Sequence, residues 1–153
     1  MKIFISVFII IFTLQSLIKA DDINEFEIEG ISIGDSLLDF YSETEIKKQL
    51  SKTNSTRKST EFLRVYFDLT NPEMYSTLNI HFKNDKSYEI TSIGGIEYFS
   101  NDMTGCYNKQ NSVIKDLEDS FPNSKSNNLE VSIHTSDPSG KSTVRDIWFD
   151  LKN

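Results

Sequence analysis

Residues 87–121 read SYEITSIGGIEYFSNDMTGCYNKQNSVIKDLEDSF, and the two halves of this stretch obey different periods. In the first half Tyr88, Ile90, Ile93, Ile96, Tyr98 and Phe99 supply an apolar strand that Gly94 and Gly95 interrupt. A glycine pair inside a strand changes which residues point inward, so a β-bulge is expected there. In the second half the spacing turns helical. Met103, Cys106, Tyr107, Gln110, Val113, Ile114, Leu117 and Phe121 share one side at 3.6 residues per turn, while Lys109, Asp116, Glu118 and Asp119 fall elsewhere. Asn101 or Asp102 suits the cap of this helix, and Pro122 marks its end.

Upstream, residues 61–69 alternate cleanly, with Leu63, Val65, Phe67 and Leu69 on one face and Phe62, Arg64, Tyr66 and Asp68 on the other. Leu78, Ile80 and Phe82 then alternate with Asn79, His81 and Lys83, and both runs read as half-buried strands. A tight turn at 83–86 joins the second run to the strand at 88–99, so the three form an antiparallel meander. Downstream, Leu129, Val131 and Ile133 alternate up to Asp137-Pro138-Ser139-Gly140, where Pro and Gly occupy favourable turn positions. The chain returns through 143–151, with Val144, Asp146, Trp148 and Asp150 on one face, to complete a hairpin.

Nearer the start, Phe26 and Ile28 alternate with acids, and Ile31 and Ile33 alternate after Gly30. Asp35-Ser36 caps a short helix over 37–41, and Ser42 with Glu45 three residues on is a capping box ahead of a second over 46–50. The expected fold class is therefore α+β: an antiparallel sheet of about five to six strands, one long helix over 101–121 packed on one face, and two short N-terminal helices. The long helix is expected on the face bearing Leu63, Val65, Ile80 and Ile133. The opposite face is left wet and carries Arg64, Tyr66, His81 and Trp148, which are the candidate binding residues. For Trp148 the alternative is an aromatic partly covered by a loop.

The first twenty residues stand apart. Lys2 precedes an apolar run over 3–14, and Ala20 stands before Asp21-Asp22, the three-part build of a secretory signal peptide over 1–20. A retained membrane anchor is the competing reading, but Gln15 and Ser16 interrupt the run before the ~20 apolar residues a bilayer span needs. Residues 21–153 then form a single domain, expected to be secreted or periplasmic, with no stable membrane span. Removing 1–20 leaves 14 basic against 23 acidic residues, a net charge of −9. Such a surface repels phosphate backbones, and no basic stripe with interleaved aromatics offsets it, so nucleic acid is not an expected partner.

Cys106 is the sole cysteine. Its place on the apolar helix side favours burial as a small core residue, with a bond to another chain or a reactive thiol as alternatives. Asn54-Ser55-Thr56 matches a glycosylation sequon, relevant only in a eukaryotic secretory pathway, within the apolar-free stretch 51–60.

Chemistry is sparse. Gly140-Lys141-Ser142 resembles the end of a phosphate-binding loop, but Thr135 stands where that motif requires glycine and a strand follows instead of a helix. His81 and His134 each sit opposite an apolar stripe, which makes both surface residues. Paired carboxylates such as Glu43 with Glu45, or Asp116 with Asp119, belong to solvated helix sides. The weak catalytic alternative is a small hydrolase using His134, Asp137 and Ser139, with Ser139 as nucleophile. No metal site and no cofactor are expected.

Three stretches carry a family resemblance: GISIGDSLLDFYSETEIKKQL at 30–50, TSIGGIEYFSNDMTGCYNKQ at 91–110 and HTSDPSGKSTVRDIWF at 134–149. Together they resemble a set of small uncharacterised secreted proteins of marine alphaproteobacteria. The matching motifs are turns and caps, so the resemblance implies a fold and an exported location and transfers no catalytic residue. It also implies a second cysteine beyond the last strand, whereas this sequence stops at Asn153 and offers Cys106 no partner within it. The function expected is a non-enzymatic module that uses a sheet face or edge to contact a small ligand or an unknown protein partner.

Export predicts a mature chain beginning at Asp21. N-terminal sequencing or intact mass of natively expressed protein checks this, and a retained Met1 in the membrane fraction overturns it.

Overall fold

The computed structural model describes residues 23, 26–53, 61–127 and 130–151. Residues 1–20, expected to be a signal peptide, and the sequon at Asn54 lie outside the described residues. In chain order, β1 (Glu27–Ile28) and β2 (Ile31–Ser32) form an antiparallel ribbon, followed by a 3-10 turn (Leu37–Asp39) and helix α1 (Glu43–Lys52). Strands β3 (Phe62–Asp68), β4 (Thr77–Lys83) and β5 (Ile90–Ile96) make an antiparallel sheet in the order β3-β4-β5, the meander read from alternation. Helix α2 (Met103–Ser120) comes next. Four short strands follow, with β6 (Lys125–Ser126) pairing β9 (Phe149–Asp150) and β7 (Glu130–Ile133) pairing β8 (Thr143–Asp146).

The protein is thus α+β and antiparallel, but the single wide sheet does not form. Among the described residues the widest sheet has three strands, and the remaining strands pair as separate ribbons. One reason lies at the edge of β5. There Gly34 N–H donates to Ile90 O (2.8 Å), Ile90 N–H to Asp35 O (2.8 Å) and Leu37 N–H to Tyr88 O (3.0 Å). The segment after β2 therefore occupies backbone groups that an added strand would need.

The core lies on one face of this sheet. Val65 and Phe67 of β3, Leu78, Ile80 and Phe82 of β4 and Ile90 of β5 close over Ile31, Leu37 and Ile46. Burial follows alternation, because the register pairs Val65 with Ile80 and Phe67 with Leu78, so one period-2 stripe from each strand meets on the same side. Helix α1, rather than α2, supplies the helical cover. Ser42 accepts from Glu45 N–H (3.3 Å) while the Glu45 carboxylate accepts from Ser42 N–H (2.9 Å), the capping box expected from the sequence. Tyr41 before the cap and Ile46 one turn into the helix both join the core cluster, and the Tyr41 ring stacks on Phe67 with centroids 3.7 Å apart.

Helix α2 departs from expectation. Asp102 caps it, accepting from Gly105 N–H at 2.8 Å, and it stops before Pro122, yet none of its residues is buried. The space above the sheet is already filled by Leu37 and Ile46, so α2 spans instead from the N-terminal ribbon to the C-terminal hairpin. At one end Phe121, just past the helix, meets Phe26 (centroids 5.6 Å apart). Toward the other, Gln110 Nε2 donates to Arg145 O (2.8 Å) and the Arg145 guanidinium lies 4.9 Å from the Tyr107 ring centroid. Cys106 is accordingly half-buried and free, not a core thiol. The Gly94-Gly95 expectation is also corrected, since the register shifts between His81 and Phe82, which pair with Ser92 and Ile90 and leave Thr91 as the extra residue. Gly95 has a different reason to be glycine, because a Cβ there would stand 2.2 Å from Tyr75 Cγ.

Between β1 and β2, Glu29 adopts a positive φ of 53°. Its carboxylate accepts from three successive backbone N–H groups, those of Glu73 (2.9 Å), Met74 (2.6 Å) and Tyr75 (2.8 Å). Partial desolvation raises the Glu29 carboxyl, but these donors, with Lys109 beyond them, outweigh it and leave it below its ordinary value of 4.5.

Two stability predictions follow from this packing. Ile46, with none of its surface exposed, should lose about 2–5 kcal/mol on Ile46→Ala, whereas half-buried Cys106→Ser should change stability by less than about 1 kcal/mol; urea denaturation reads both. Folding lowers the Glu29 carboxyl, so its contribution is complete above its ordinary value of 4.5 and is lost as pH falls through the folded value. Glu29→Ala should therefore remove about 1–3 kcal/mol at neutral pH and flatten that part of the acid-denaturation curve.

Candidate functional site

Alternation that buries one face of the meander presents the other to water. The outer face carries Phe62, Arg64 and Tyr66 on β3, Asn79, His81 and Lys83 on β4, and Ser92 and Ile96 on β5. Arg64 and His81 are directly paired across the strands, and the guanidinium carbon lies 5.5 Å from the Tyr66 ring centroid. Arg64, Tyr66 and His81 are thus brought together as the sequence pattern predicts. Partial burial, and then the neighbouring Arg64 charge, push the His81 imidazole below its ordinary 6.5, which favours its neutral form. Among the described residues no carboxylate forms an ion pair with Arg64, while Lys83 is held by Glu89 at 2.7 Å. Beside Tyr66, the Oδ1 of Asn79 is buried with no hydrogen-bond partner among the described residues.

Trp148 is not on this face. It sits between β8 and β9 with 67% of its surface exposed, its backbone N–H donating to Asn127 Oδ1 at 2.6 Å. Ile133, expected on the covered side of the sheet, is likewise 62% exposed in the separate β7–β8 ribbon. The loop-covered reading of Trp148 does not describe this exposure either.

His134, Asp137 and Ser139 build the turn of the β7–β8 hairpin. Asp137 accepts through Oδ1 from Ser139 N–H (2.8 Å) and through Oδ2 from Ser142 N–H (2.8 Å). Hydrogen bonding with Ser142, and then with Ser139, holds the Asp137 carboxyl well below its ordinary range. His134 Nδ1 accepts from Ser136 N–H (3.2 Å) and Ser139 Oγ from Lys141 N–H (3.3 Å). Among the described residues no hydrogen bond joins Ser139 to His134, so the nucleophile–base contact that a hydrolase of this type relies on is not formed. Gly140, at φ 66°, completes a turn in which these polar groups satisfy the backbone.

The sequence did not reveal a cleft of about 420 Å³ between the β1–β2 turn, the 73–75 loop and α2. Ile28, Tyr75, Val113 and Leu117 line it, with Glu73 and Asp116 carrying carboxylates on opposite walls. The i, i+4 pair Val113 and Leu117 is legible on the helix, but the loop that faces it has no periodicity to place it there.

Among the described residues no group of three or more His, Cys, Asp or Glu side chains is placed to hold a metal ion, and no helix is long and apolar enough to cross a membrane. Compared with family models, with curated proteins and with solved structures, the chain matches none of them.

Proposed function

We propose that this protein is a non-enzymatic binding module that acts outside the cytoplasm, secreted or periplasmic, and holds a protein partner against the outer face of its three-stranded sheet. The observation that carries the reading is Arg64: a guanidinium without a carboxylate ion pair among the described residues, beside Tyr66 and His81, in a chain whose net charge is −7. A cationic and aromatic spot on an acidic protein suits a partner that presents an acidic side chain. Trp148 supplies a second, separate exposed contact on the C-terminal ribbon. The build of residues 1–20 supports export, and residues 30–50, 91–110 and 134–149 support kinship with small secreted proteins of marine alphaproteobacteria. The hydrolase reading draws no support from the turn at 134–142.

Affinity capture from envelope extract with the wild-type protein and with Arg64→Glu tests the proposal. The exposed substitution should leave thermal stability unchanged while lowering capture of the specific partner by about tenfold or more, as expected when an interfacial charge is reversed. The NMR titration of His81 should move to higher pH in the complex, because a docked carboxylate favours the imidazolium. Equal capture by the variant, or a hydrolytic activity abolished by His134→Ala, would overturn it.

A further inference from the structure

The cleft between the β1–β2 turn, the 73–75 loop and α2 has the size of a small-molecule site, at about 420 Å³ against the range of about 300–1,000 Å³ usual for such pockets. Its lining is apolar along Ile28, Tyr75, Val113 and Leu117, all half-buried, so an occupant must bring an apolar body. Polar chemistry enters from two sides. Glu73 stands on the loop wall and Asp116 on the helix wall, and among the described residues neither forms an ion pair. Glu29 also lines the space, but its oxygens are committed to the backbone of residues 73–75. Its charge nonetheless remains there.

The field inside is negative. Burial, and then the charges of Asp116 and Glu29, push the Tyr75 phenol above its ordinary value. The chain already places one cation at the rim, since Lys109 Nζ lies 5.5 Å from the Tyr75 ring centroid, so the ring face is receptive to positive charge. An anion or a second carboxylate would meet Glu29, Glu73 and Asp116 together. A neutral apolar ligand would leave the charges of Glu73 and Asp116 uncompensated beside a newly desolvated wall.

We propose that this cleft is a binding site for an organic cation with an apolar body, a primary ammonium or guanidinium held between Glu73 and Asp116 with its hydrocarbon against Tyr75, Val113 and Leu117. The site is separate from the outer face of the sheet, and its occupancy does not depend on that face binding a partner. It differs in sign as well, because the sheet face suits acids and the cleft suits bases.

Titration of the purified protein with phenethylammonium, 2-phenylethanol and 3-phenylpropanoate, followed by amide NMR shifts, tests the proposal. Phenethylammonium should saturate with shifts centred on Tyr75 and Val113, the alcohol should bind more weakly and the carboxylate should not bind. Glu73→Gln and Asp116→Asn should each weaken the ammonium by about two- to fivefold, the effect of removing one partly exposed charge partner. Asp119→Asn, which removes an equal charge from a carboxylate paired with Lys115 on the same helix, should leave the affinity unchanged. Val113→Trp should abolish binding by filling the cleft. Equal affinity for alcohol and ammonium, shifts mapping elsewhere, or unchanged affinity in both carboxylate variants would overturn the assignment; the carboxylate variants decide the matter if Val113→Trp does not fold.

Discussion

The Glu29 carboxylate, accepting from three consecutive backbone N–H groups of the 73–75 loop, is the contact on which the arrangement of this fold turns. Glu29 sits between β1 and β2 at a positive φ, a conformation that costs a residue with a side chain about 1–3 kcal/mol and persists where surrounding contacts over-determine it. Here three charge-assisted hydrogen bonds supply that determination. They tie a two-residue ribbon, which could not stand alone in water, to the loop that enters β4. From that anchorage Ile31 reaches the core and the segment at 34–37 runs along the edge of β5.

The choice between the helices depends on this anchorage as well. A three-stranded sheet has room on its apolar face for one layer, and the ribbon, Leu37 and Ile46 occupy it before α2 begins. Local connection favours α1, because its capping box starts it immediately after the 3-10 turn whose Leu37 is already buried. Helix α2 keeps its cap and its length but buries no residue fully. Phe121 just past it meets Phe26, Gln110 donates to Arg145 O of the β7–β8 hairpin, and Val113 and Leu117 line the cleft, which makes α2 the wall of a cleft and not the lid of a sheet.

Charge is distributed unevenly as a consequence. Acidic residues dominate the chain, and Glu29, Glu73 and Asp116 line the cleft, whereas the outer sheet face carries Arg64, which forms no ion pair among the described residues. The two proposed surfaces would therefore suit partners of opposite charge, and at the ionic strength of ordinary fluids, where screening acts over about 8 Å, such charges act locally instead of through the net charge.

What the sequence determined by itself was local. Period-2 alternation in 62–68 and 77–83 assigned Leu63, Val65 and Ile80 to the covered face and Arg64, Tyr66 and His81 to the open one, since a side chain can change face only by a shift of register. The Ser42–Glu45 box, the Asp102 cap and the Asp137–Gly140 turn were legible for the same reason, being hydrogen bonds between residues two to four apart. The tertiary structure alone decided which helix covers the sheet, that Trp148 leaves it, and that Glu29 meets residues more than forty positions away. An apolar stripe specifies that a surface must be covered and is silent on the partner, because the hydrophobic effect has no direction. Gly95 shows the same division: its composition suggested a bulge, but the approach of Tyr75 that makes glycine necessary exists only once the loop before β4 has been drawn in.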